Sequence, residues 1–309
     1  MLESHSRGTA LRKLASRASL IVAIALVAIK LLAWVATGSV ALLTSAVDAI
    51  VDAGASLVTY FEVRYAERPP DHEHRFGHGK GEAVACLTQA TFLAGAALVL
   101  AFQSAQRLIF PEPLAALDLG LWVITASLLV AAGLVTMQTW VVRQTGSTAI
   151  AADRAHYLAD VAVNGAVLVA LGVSKWTGWE RADPAFALAI SGYMLWSARG
   201  IAEAALVQLL DRELPNEERQ RIERTVLSCD GACAIHDLRT RFSGDRAFIE
   251  YHLEVEGSLT VDCGHAIADA TEAAVGGMLP GLVEVTAHLE PFGVEDERLD
   301  DRVGRGAIA

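Results

Sequence analysis

The chain has 309 residues, of which 53% are hydrophobic, and its mean hydropathy is +0.38. These values exclude an ordinary soluble enzyme and indicate a polytopic membrane protein. The formal net charge of −11 argues against nucleic acid as a partner. Charged residues cluster at the N-terminus, in short loops and after about residue 211, so we expect a membrane block followed by a soluble block.

The first two thirds of the chain predict a short basic segment and an α-helical membrane domain. Residues 1–13 are basic and amphipathic, and we expect no cleavable signal peptide. The transmembrane domain covers residues 14–208, with apolar stretches at 14–36, 41–65, 82–109, 117–142, 148–173 and 184–207. Six spans place both termini on the same side of the bilayer. The excess of Lys and Arg on that side predicts that it is the cytoplasm.

After Asp211 the pattern becomes that of a cytoplasmic α+β domain, over residues 209–291. The predicted elements are a helix, two strands, a second helix and a third strand, at 215–229, 235–242, 246–256, 261–278 and 282–290. The order α-β-β-α-β fits helices on one face of a three-stranded sheet. Residues 292–309 are charged and predict a disordered tail.

Two pairs of polar residues lie inside apolar spans. Asp48 and Asp52 are four residues apart, which puts them on one helix face, and His156 and Asp160 repeat that spacing. Each carboxylate at mid-membrane costs about 2.5–3.5 kcal/mol. Counted at 1.5 Å per residue, the two pairs reach the same depth in an antiparallel pair of spans. Three carboxylates and an imidazole suit a divalent cation, and simple helix packing is the alternative.

The loop between the second and third spans carries a second polar cluster. Asp71, His72, His74 and His78 lie within eight residues, and these side chains are a candidate metal clamp. A polar loop without metal is the other interpretation. Lys80 and Asp211 form a candidate pair between the membrane block and the soluble block, although a solvated pair without a role is an equal alternative.

The soluble domain carries a third cluster. Alternate residues of a β-strand share a face. His252 and Glu254 therefore lie on the face of their strand opposite the apolar face, and His288 shares a face with Glu290. A histidine on such a face is usually just solvated. The more specific interpretation is a metal site, binuclear or shared between two chains, formed by the five residues His236, His252, His265, His288 and Glu290. We predict that Cys229, Cys233 and Cys263 are buried as small apolar side chains.

At these residues the chain resembles the cation diffusion facilitator family over about residues 10–291. The paired motifs and the Phe-Gly-His-Gly-Lys loop carry the resemblance together. The matching stretches are Gly38 to Leu43, Val47 to Leu57, His74 to Lys80, His156 to Asp160, Leu210 to Arg212 and His236 to Arg241.

The resemblance implies a homodimer with six transmembrane helices per chain and a metallochaperone-like cytoplasmic domain. It implies a transport site at Asp48, Asp52, His156 and Asp160, and a loop site at Asp71, His74 and His78, with Glu73 as the alternative acid. It also implies a binuclear cytoplasmic site at His236, His252, His265 and His288, with an interlock between Lys80 and Asp211. Relatives carry Asp where this chain has Glu290, so the side chain is longer here.

The expected function is proton-coupled export of divalent cations across the bacterial inner membrane. Zn²⁺ is the expected cargo, with Cd²⁺ and Fe²⁺ as further substrates, and zinc is also expected to bind as a structural or regulatory ion. An exporter selective for Mn²⁺ or Fe²⁺ is one alternative, and a membrane-bound metal sensor without transport is another. An intramembrane metalloenzyme is disfavoured, because the chain lacks His-Glu-x-x-His and four protein ligands leave no position for water.

Overall fold

The computed structural model describes residues 2–37, 40–110, 118–177, 181–279, 282–294 and 298–299. It divides the chain into two compact units, Met1–Leu206 and Val207–Ala309. The two units are built on different principles, a helical bundle and a small sheet packed against helices.

Six long helices make up the first unit. They are α1 (Leu2–Thr37), α2 (Val40–Ala66), α3 (Lys80–Ile109), α4 (Asp118–Thr145), α5 (Thr148–Thr177) and α6 (Ala182–Leu209). Helix α1 begins at Leu2, so the basic segment predicted at residues 1–13 continues without a break into the first apolar stretch.

The helices of this unit have the surface of a membrane protein. Among the described residues, three stretches are long and apolar enough to cross a bilayer, at Arg7–Ala36, Lys80–Ile109 and Leu121–Thr145. Large apolar side chains point outward, with Leu98 exposed by 59% and Trp122 by 74%. Water would penalise such a surface, whereas lipid tails cover it.

Small residues let these helices approach closely. One buried cluster joins α1, α2, α3, α4 and α5 through Ala15, Val63, Ala85, Val141 and Ile150. A second joins α3, α5 and α6 around Leu93, Ala97, Ala159 and Met194. Association inside a membrane depends on close van der Waals packing, which is why alanine recurs at these contacts.

The second unit follows the predicted order of elements. It contains α7 (Asn216–Leu227), β1 (Ala234–Ser243), β2 (Arg246–Val255), α8 (Val261–Gly276) and β3 (Leu282–Pro291). Strand β2 is central, antiparallel to β1 and parallel to β3. Ile222 of α7 and Ala268 of α8 pack with Ile249, Tyr251 and Leu253 of β2 to form the core.

The strand register brings three histidines into one row. His236 of β1 pairs with His252 of β2, and His252 pairs with His288 of β3. The β1–β2 ladder is irregular between His236 and Arg239, and Asp237 has a φ of +51° there. A bulge of this kind re-aims the side chains beside it.

Part of the predicted disordered tail has defined contacts. Of residues 292–309, the structure describes 292–294 and 298–299. Nη2 of Arg298 lies 2.8 Å from Oε1 of Glu254, and the backbone N–H of Leu299 donates to Oδ2 of Asp237 at 2.9 Å. The remaining residues of the predicted tail lie outside the described part of the chain.

Candidate metal centres

The first candidate centre joins helices α2 and α5. Nε2 of His156 lies 3.0 Å from Oδ1 of Asp52 and 4.0 Å from Oδ2 of Asp160. One ligand atom from each of these three residues lies within 4.8 Å of the other two. The His156 ring is buried, whereas both carboxylates are partly open.

Hydrogen bonds beside this centre fix the two helices against each other. Ser56, one turn after Asp52, contacts the hydroxyl of Tyr157 at 3.0 Å. The same hydroxyl donates to the backbone oxygen of Ser19 on α1 at 3.3 Å. Because Tyr157 directly follows His156, these bonds set the height at which the imidazole meets Asp52.

Asp48 lies one turn before Asp52 on α2, as the spacing predicts, but it is exposed. It does not belong to the group formed by Asp52, His156 and Asp160. The structure therefore brings together three of the four residues predicted for the transport site. The fourth remains on the same helix face and is open to solvent or lipid.

A further buried acid lies one turn before His156. Asp153 is fully buried, and Nε2 of Gln138 donates to its Oδ2 at 2.6 Å. Nε2 of Gln89 lies 3.5 Å from the other oxygen, Oδ1. This network ties α3, α4 and α5 together behind the candidate centre, which gives Asp153 a helix-positioning role.

The second candidate centre lies in the loop after α2. Oδ1 of Asp71 is 3.2 Å from Nδ1 of His74, and Oδ2 of Asp71 is 3.3 Å from Nε2 of His78. The acid of this cluster is Asp71, and the alternative acid Glu73 lies outside it. The backbone N–H of His74, followed by that of Glu73, hydrogen-bonds the Asp71 carboxylate and lowers its pKa.

Local packing fixes the orientation of His78. Its side chain is only 2% exposed, and its ring lies edge-on to Tyr65 at 4.7 Å between centroids. Nδ1 lies 3.4 Å from the backbone oxygen of Arg68. A proton on Nδ1 would donate to that oxygen and leave the Nε2 lone pair for a metal shared with Asp71, the usual arrangement of histidines that bind metal. Gly77, with a φ of +81°, makes the tight turn that returns the chain to α3.

The third candidate centre lies on the sheet of the second unit. Ligand atoms of His236, His252 and Glu290 lie within 4.8 Å of one another. Nδ1 of His252 is 2.7 Å from Oε1 of Glu290, and Nε2 of His236 is 3.3 Å from Oε2. These distances are those of ion pairs, and neither imidazole has hydrogen-bond angles to the carboxylate.

Two further histidines predicted for this site lie at or beyond its edge. The exposed His288 has Nε2 3.6 Å from Oε1 of Glu290, and its ring centroid is 4.9 Å from that of His252. His265 is exposed on α8 beside Asp269, at 3.5 Å. Within one chain, the structure brings His236, His252 and Glu290 together and leaves His265 apart from them.

Two other predictions from the sequence have different outcomes. The predicted burial of the thiols is wrong for Cys233 and Cys263, which are exposed, while Cys229 is half-buried. Cys233 directly precedes β1 and Cys263 lies in the first turn of α8, outside the buried core of this unit. Lys80 and Asp211 belong to different units, so their pairing stays a prediction.

Glu254 lies on the predicted face of β2, the one that also carries His252, but it is buried there. Its side chain is only 4% exposed. Oε1 of Glu254 lies 3.2 Å from Nδ1 of His236, on the side of the ring away from Glu290. Its position two residues after His252 was the available signal, because both then lie on one face.

Comparison with known proteins identifies the family. Residues 16–210 match the "Cation efflux transmembrane domain" family, and residues 214–292 match "Cation efflux protein, cytoplasmic domain", named ZT_dimer. The chain is 47% identical over 285 residues to the cation-efflux pump FieF of Klebsiella pneumoniae, covering 91% of this chain and 94% of that protein. FieF of Yersinia enterocolitica is 46% identical over 282 residues, covering 91% and 93%.

The chain is also similar in part to solved structures. A structure of the zinc transporter CzrB in its zinc form is 37% identical, covers 28% of this chain and 99% of that chain, and has a TM-score of 0.26. The two family matches cover both units, and the FieF relatives cover nearly the whole chain. The chain therefore belongs to the cation efflux (cation diffusion facilitator) family, whose members are membrane-embedded cation transporters with a dimerising cytoplasmic domain, and it is not an enzyme.

Proposed function

We propose that this transporter exports divalent metal cations from the cytoplasm in exchange for protons, with Zn²⁺ as its main substrate and Cd²⁺ and Fe²⁺ as others. The observation that carries the proposal is the meeting of Asp52, His156 and Asp160 from two helices, with ligand atoms within 4.8 Å. Asp48, one turn away on α2, is the proposed fourth ligand of the transport site.

The chemistry of these donors supports the exchange. Carboxylate and imidazole donors suit Zn²⁺ and related divalent ions. Metal binding requires the carboxylates and the imidazole to release their protons, so metal and protons compete for the same atoms. When the site opens to the outer side, protons arriving at Asp52 and His156 favour release of the metal.

The membrane arrangement is part of the same proposal. All of α1–α6 would span the bacterial inner membrane, with both termini in the cytoplasm, and two chains would form a homodimer. Alternating access would expose the α2–α5 site first to the cytoplasm and then to the outside. Such a motion would have to rearrange the packing of α3, α4 and α5 around Asp153.

The other two centres would act on the cytoplasmic side. Asp71, His74 and His78 would bind metal in the loop between α2 and α3. His236, His252, His288 and Glu290 would bind metal in the second unit, and His265 would join from the partner chain in the dimer. Metal bound there would hold the dimer together, and Lys80 and Asp211 would lock the two protomers.

Transport in reconstituted liposomes tests the proposal. Vesicles with an acidic lumen should accumulate Zn²⁺, because protons leaving the lumen drive metal inward. Asp52→Ala and His156→Ala should reduce uptake to that of empty liposomes. Glu203→Gln is the matched control, since Glu203 is an exposed acid of α6 paired with Arg199, and its uptake should equal that of the unmodified protein.

Other outcomes would replace the proposal. Zn²⁺ binding that depends on Asp52 but occurs without flux would identify a membrane-bound sensor. Uptake of Mn²⁺ or Fe²⁺ in preference to Zn²⁺ would overturn the assignment of zinc as main substrate. Uptake that is independent of the pH gradient would overturn proton coupling.

A further inference from the structure

The carboxylate of Glu254 is buried in the second unit and needs compensation for its charge. Its Oε1 is 2.8 Å from Nη2 of Arg298 and 3.2 Å from Nδ1 of His236. Its Oε2 accepts a hydrogen bond from the backbone N–H of Gly293 at 3.2 Å. Two of these three partners, Gly293 and Arg298, lie in the segment that follows β3.

The segment after β3 is also attached beside His236. The backbone N–H of Leu299 donates to Oδ2 of Asp237 at 2.9 Å. Asp237 follows His236 in the chain and has the left-handed φ of the bulge. The segment therefore holds both the acid that faces the His236 ring and the backbone irregularity that aims it.

His236 lies between two carboxylates that face opposite nitrogens of its ring. Nε2 points to Glu290 and the candidate metal centre, and Nδ1 points to Glu254. Histidines that bind metal through one nitrogen usually donate the other N–H to a carboxylate or carbonyl. That partner fixes the tautomer and the orientation of the ring.

From this geometry we infer that Glu254, anchored by Arg298 of the C-terminal segment, is a positioning residue for His236 in the cytoplasmic metal centre. Nδ1 of His236 lies 3.2 Å from Oε1 of Glu254, at ion-pair distance but without hydrogen-bond angles. In the proposed metal-bound centre the Glu254 charge would hold the proton on Nδ1, which leaves Nε2 free to bind metal beside Glu290. Arg298 prevents the carboxylate from turning away. The inference rests on the proposed function, in which His236, His252 and Glu290 bind a divalent cation.

The alternative, a direct metal ligand at Glu254, fits the geometry less well. Glu254 is outside the group of atoms formed by His236, His252 and Glu290. Its Oε1 is already shared between Arg298 and His236. A cation there would compete with the Arg298 guanidinium for that oxygen.

Co²⁺ binding to the full-length protein tests the inference. The parent for this test carries Asp52→Ala and His78→Ala, which remove the transport and loop centres. Affinity is measured by competition with a chromophoric chelator, and the absorption spectrum of the bound Co²⁺ is recorded at saturation. His252→Ala should abolish the remaining binding.

Glu254→Gln and Arg298→Ala should each weaken Co²⁺ binding by about 10- to 100-fold, the usual effect of losing such a partner. They should also change the spectrum at saturation, because the His236 ring loses its fixed orientation. Arg298→Lys should restore most of the affinity. Arg246→Ala is the matched control, because Arg246 pairs with Glu284 at 3.5 Å, and it starts β2 about 26 Å from Glu254.

The measurements distinguish failure of the positioning role from absence of the cytoplasmic centre. If Arg298→Ala binds as tightly as Arg246→Ala, the positioning role is overturned. A weakened Arg298→Ala that shows the parent spectrum at saturation would also overturn it, since the arginine would then only stabilise the fold. If His252→Ala binds Co²⁺ like the parent, the proposed cytoplasmic centre itself is absent.

Discussion

In the loop after α2, a segment of eight residues brings three candidate metal ligands together. Asp71 accepts the backbone N–H groups of His74 and Glu73, at 2.7 and 2.9 Å from its Oδ1. The turn that these bonds close brings His74 and His78 within 4.5 Å of each other, measured between ring centroids. The same bonds favour the charged form of Asp71, whose lowered pKa keeps it a carboxylate as the pH falls.

Replacing Asp71 tests this residue-scale arrangement. In a protein that carries Asp52→Ala and His252→Ala, Asp71→Asn should raise the Kd for Zn²⁺ at least about tenfold, or about 1.4 kcal/mol. The amide keeps the size of the side chain but loses the charge between the two imidazoles. Isothermal titration measures the change, with Glu73→Gln as the control acid from the same turn. Equal affinities in the two variants would remove Asp71 from the centre.

At the scale of elements, a buried ion pair connects the start of α1 to the end of α2. Nε of Arg12 lies 2.7 Å from Oε1 of Glu67, and Nζ of Lys13 lies 3.3 Å from Oε2. Arg12 and Glu67 are both almost fully buried. The basic N-terminal segment therefore packs as the first turns of α1, where its charge has a specific acidic partner.

Removing Arg12 should destabilise this end of the bundle. Arg12→Ala leaves the buried Glu67 with Lys13 as its remaining ion-pair partner among the described residues, and breaking a buried pair on one side costs about 3 kcal/mol. Denaturant unfolding in detergent measures the loss. Arg17→Ala, an exposed arginine of the same helix, should stay within about 0.5 kcal/mol of the unmodified protein.

A double-mutant cycle adds a second check on this pair. Arg12→Ala combined with Glu67→Gln should cost less than the sum of the single changes, because the pair acts as a unit. Strict additivity, or equal stability of Arg12→Ala and Arg17→Ala, would mean that the pair does not hold the two helices.

At the scale of the whole molecule, the transporter combines a lipid-covered bundle with a dimerising domain that presents histidines at the surface of its sheet. His252 is half-buried and His288 is exposed, so a second chain can approach them. We expect metal at these residues to restrict the motion of the two cytoplasmic units of a dimer. Their proposed regulatory role depends on that restriction.

Distance measurements across the dimer test this expectation. The full-length protein would carry a spin label at Gln220→Cys, an exposed position on α7, with the four native cysteines changed to Ser. Zn²⁺ should narrow the label-to-label distance distribution, and the combined His236→Ala and His252→Ala change should remove the effect. His72 is an exposed histidine outside the three clusters, so His72→Ala should leave the narrowing by Zn²⁺ unchanged. A distribution that Zn²⁺ does not alter in the unmodified protein would contradict the regulatory role.

Much of this architecture is predictable because it depends on local patterns. The soluble elements follow the predicted order α-β-β-α-β, since alternation and turn residues act over a few neighbours. The clustering of Asp52 with His156 and Asp160 also matches the expectation from helical spacing and depth. The six-span arrangement and the ligand roles remain predictions.

Two departures from expectation concern burial. Strand alternation placed Glu254 on the correct face of β2, but the bulge beside Asp237 and the segment after β3 cover that end of the sheet and bury its side chain. Cys233 and Cys263 are apolar enough for a core, yet each lies where its element begins and faces outward. No local pattern reports such long-range contacts.

The sequence by itself determined the helical membrane unit, the α+β unit and the face of each element that carries the candidate metal ligands, because these depend on residue type and spacing along the chain. Only the tertiary structure decided which of those side chains meet. It placed His156 beside Asp52, put Asp71 rather than Glu73 in the loop cluster, and brought Arg298 to Glu254. Such pairings depend on distances between segments far apart in sequence, which packing and register set only when the whole chain has folded.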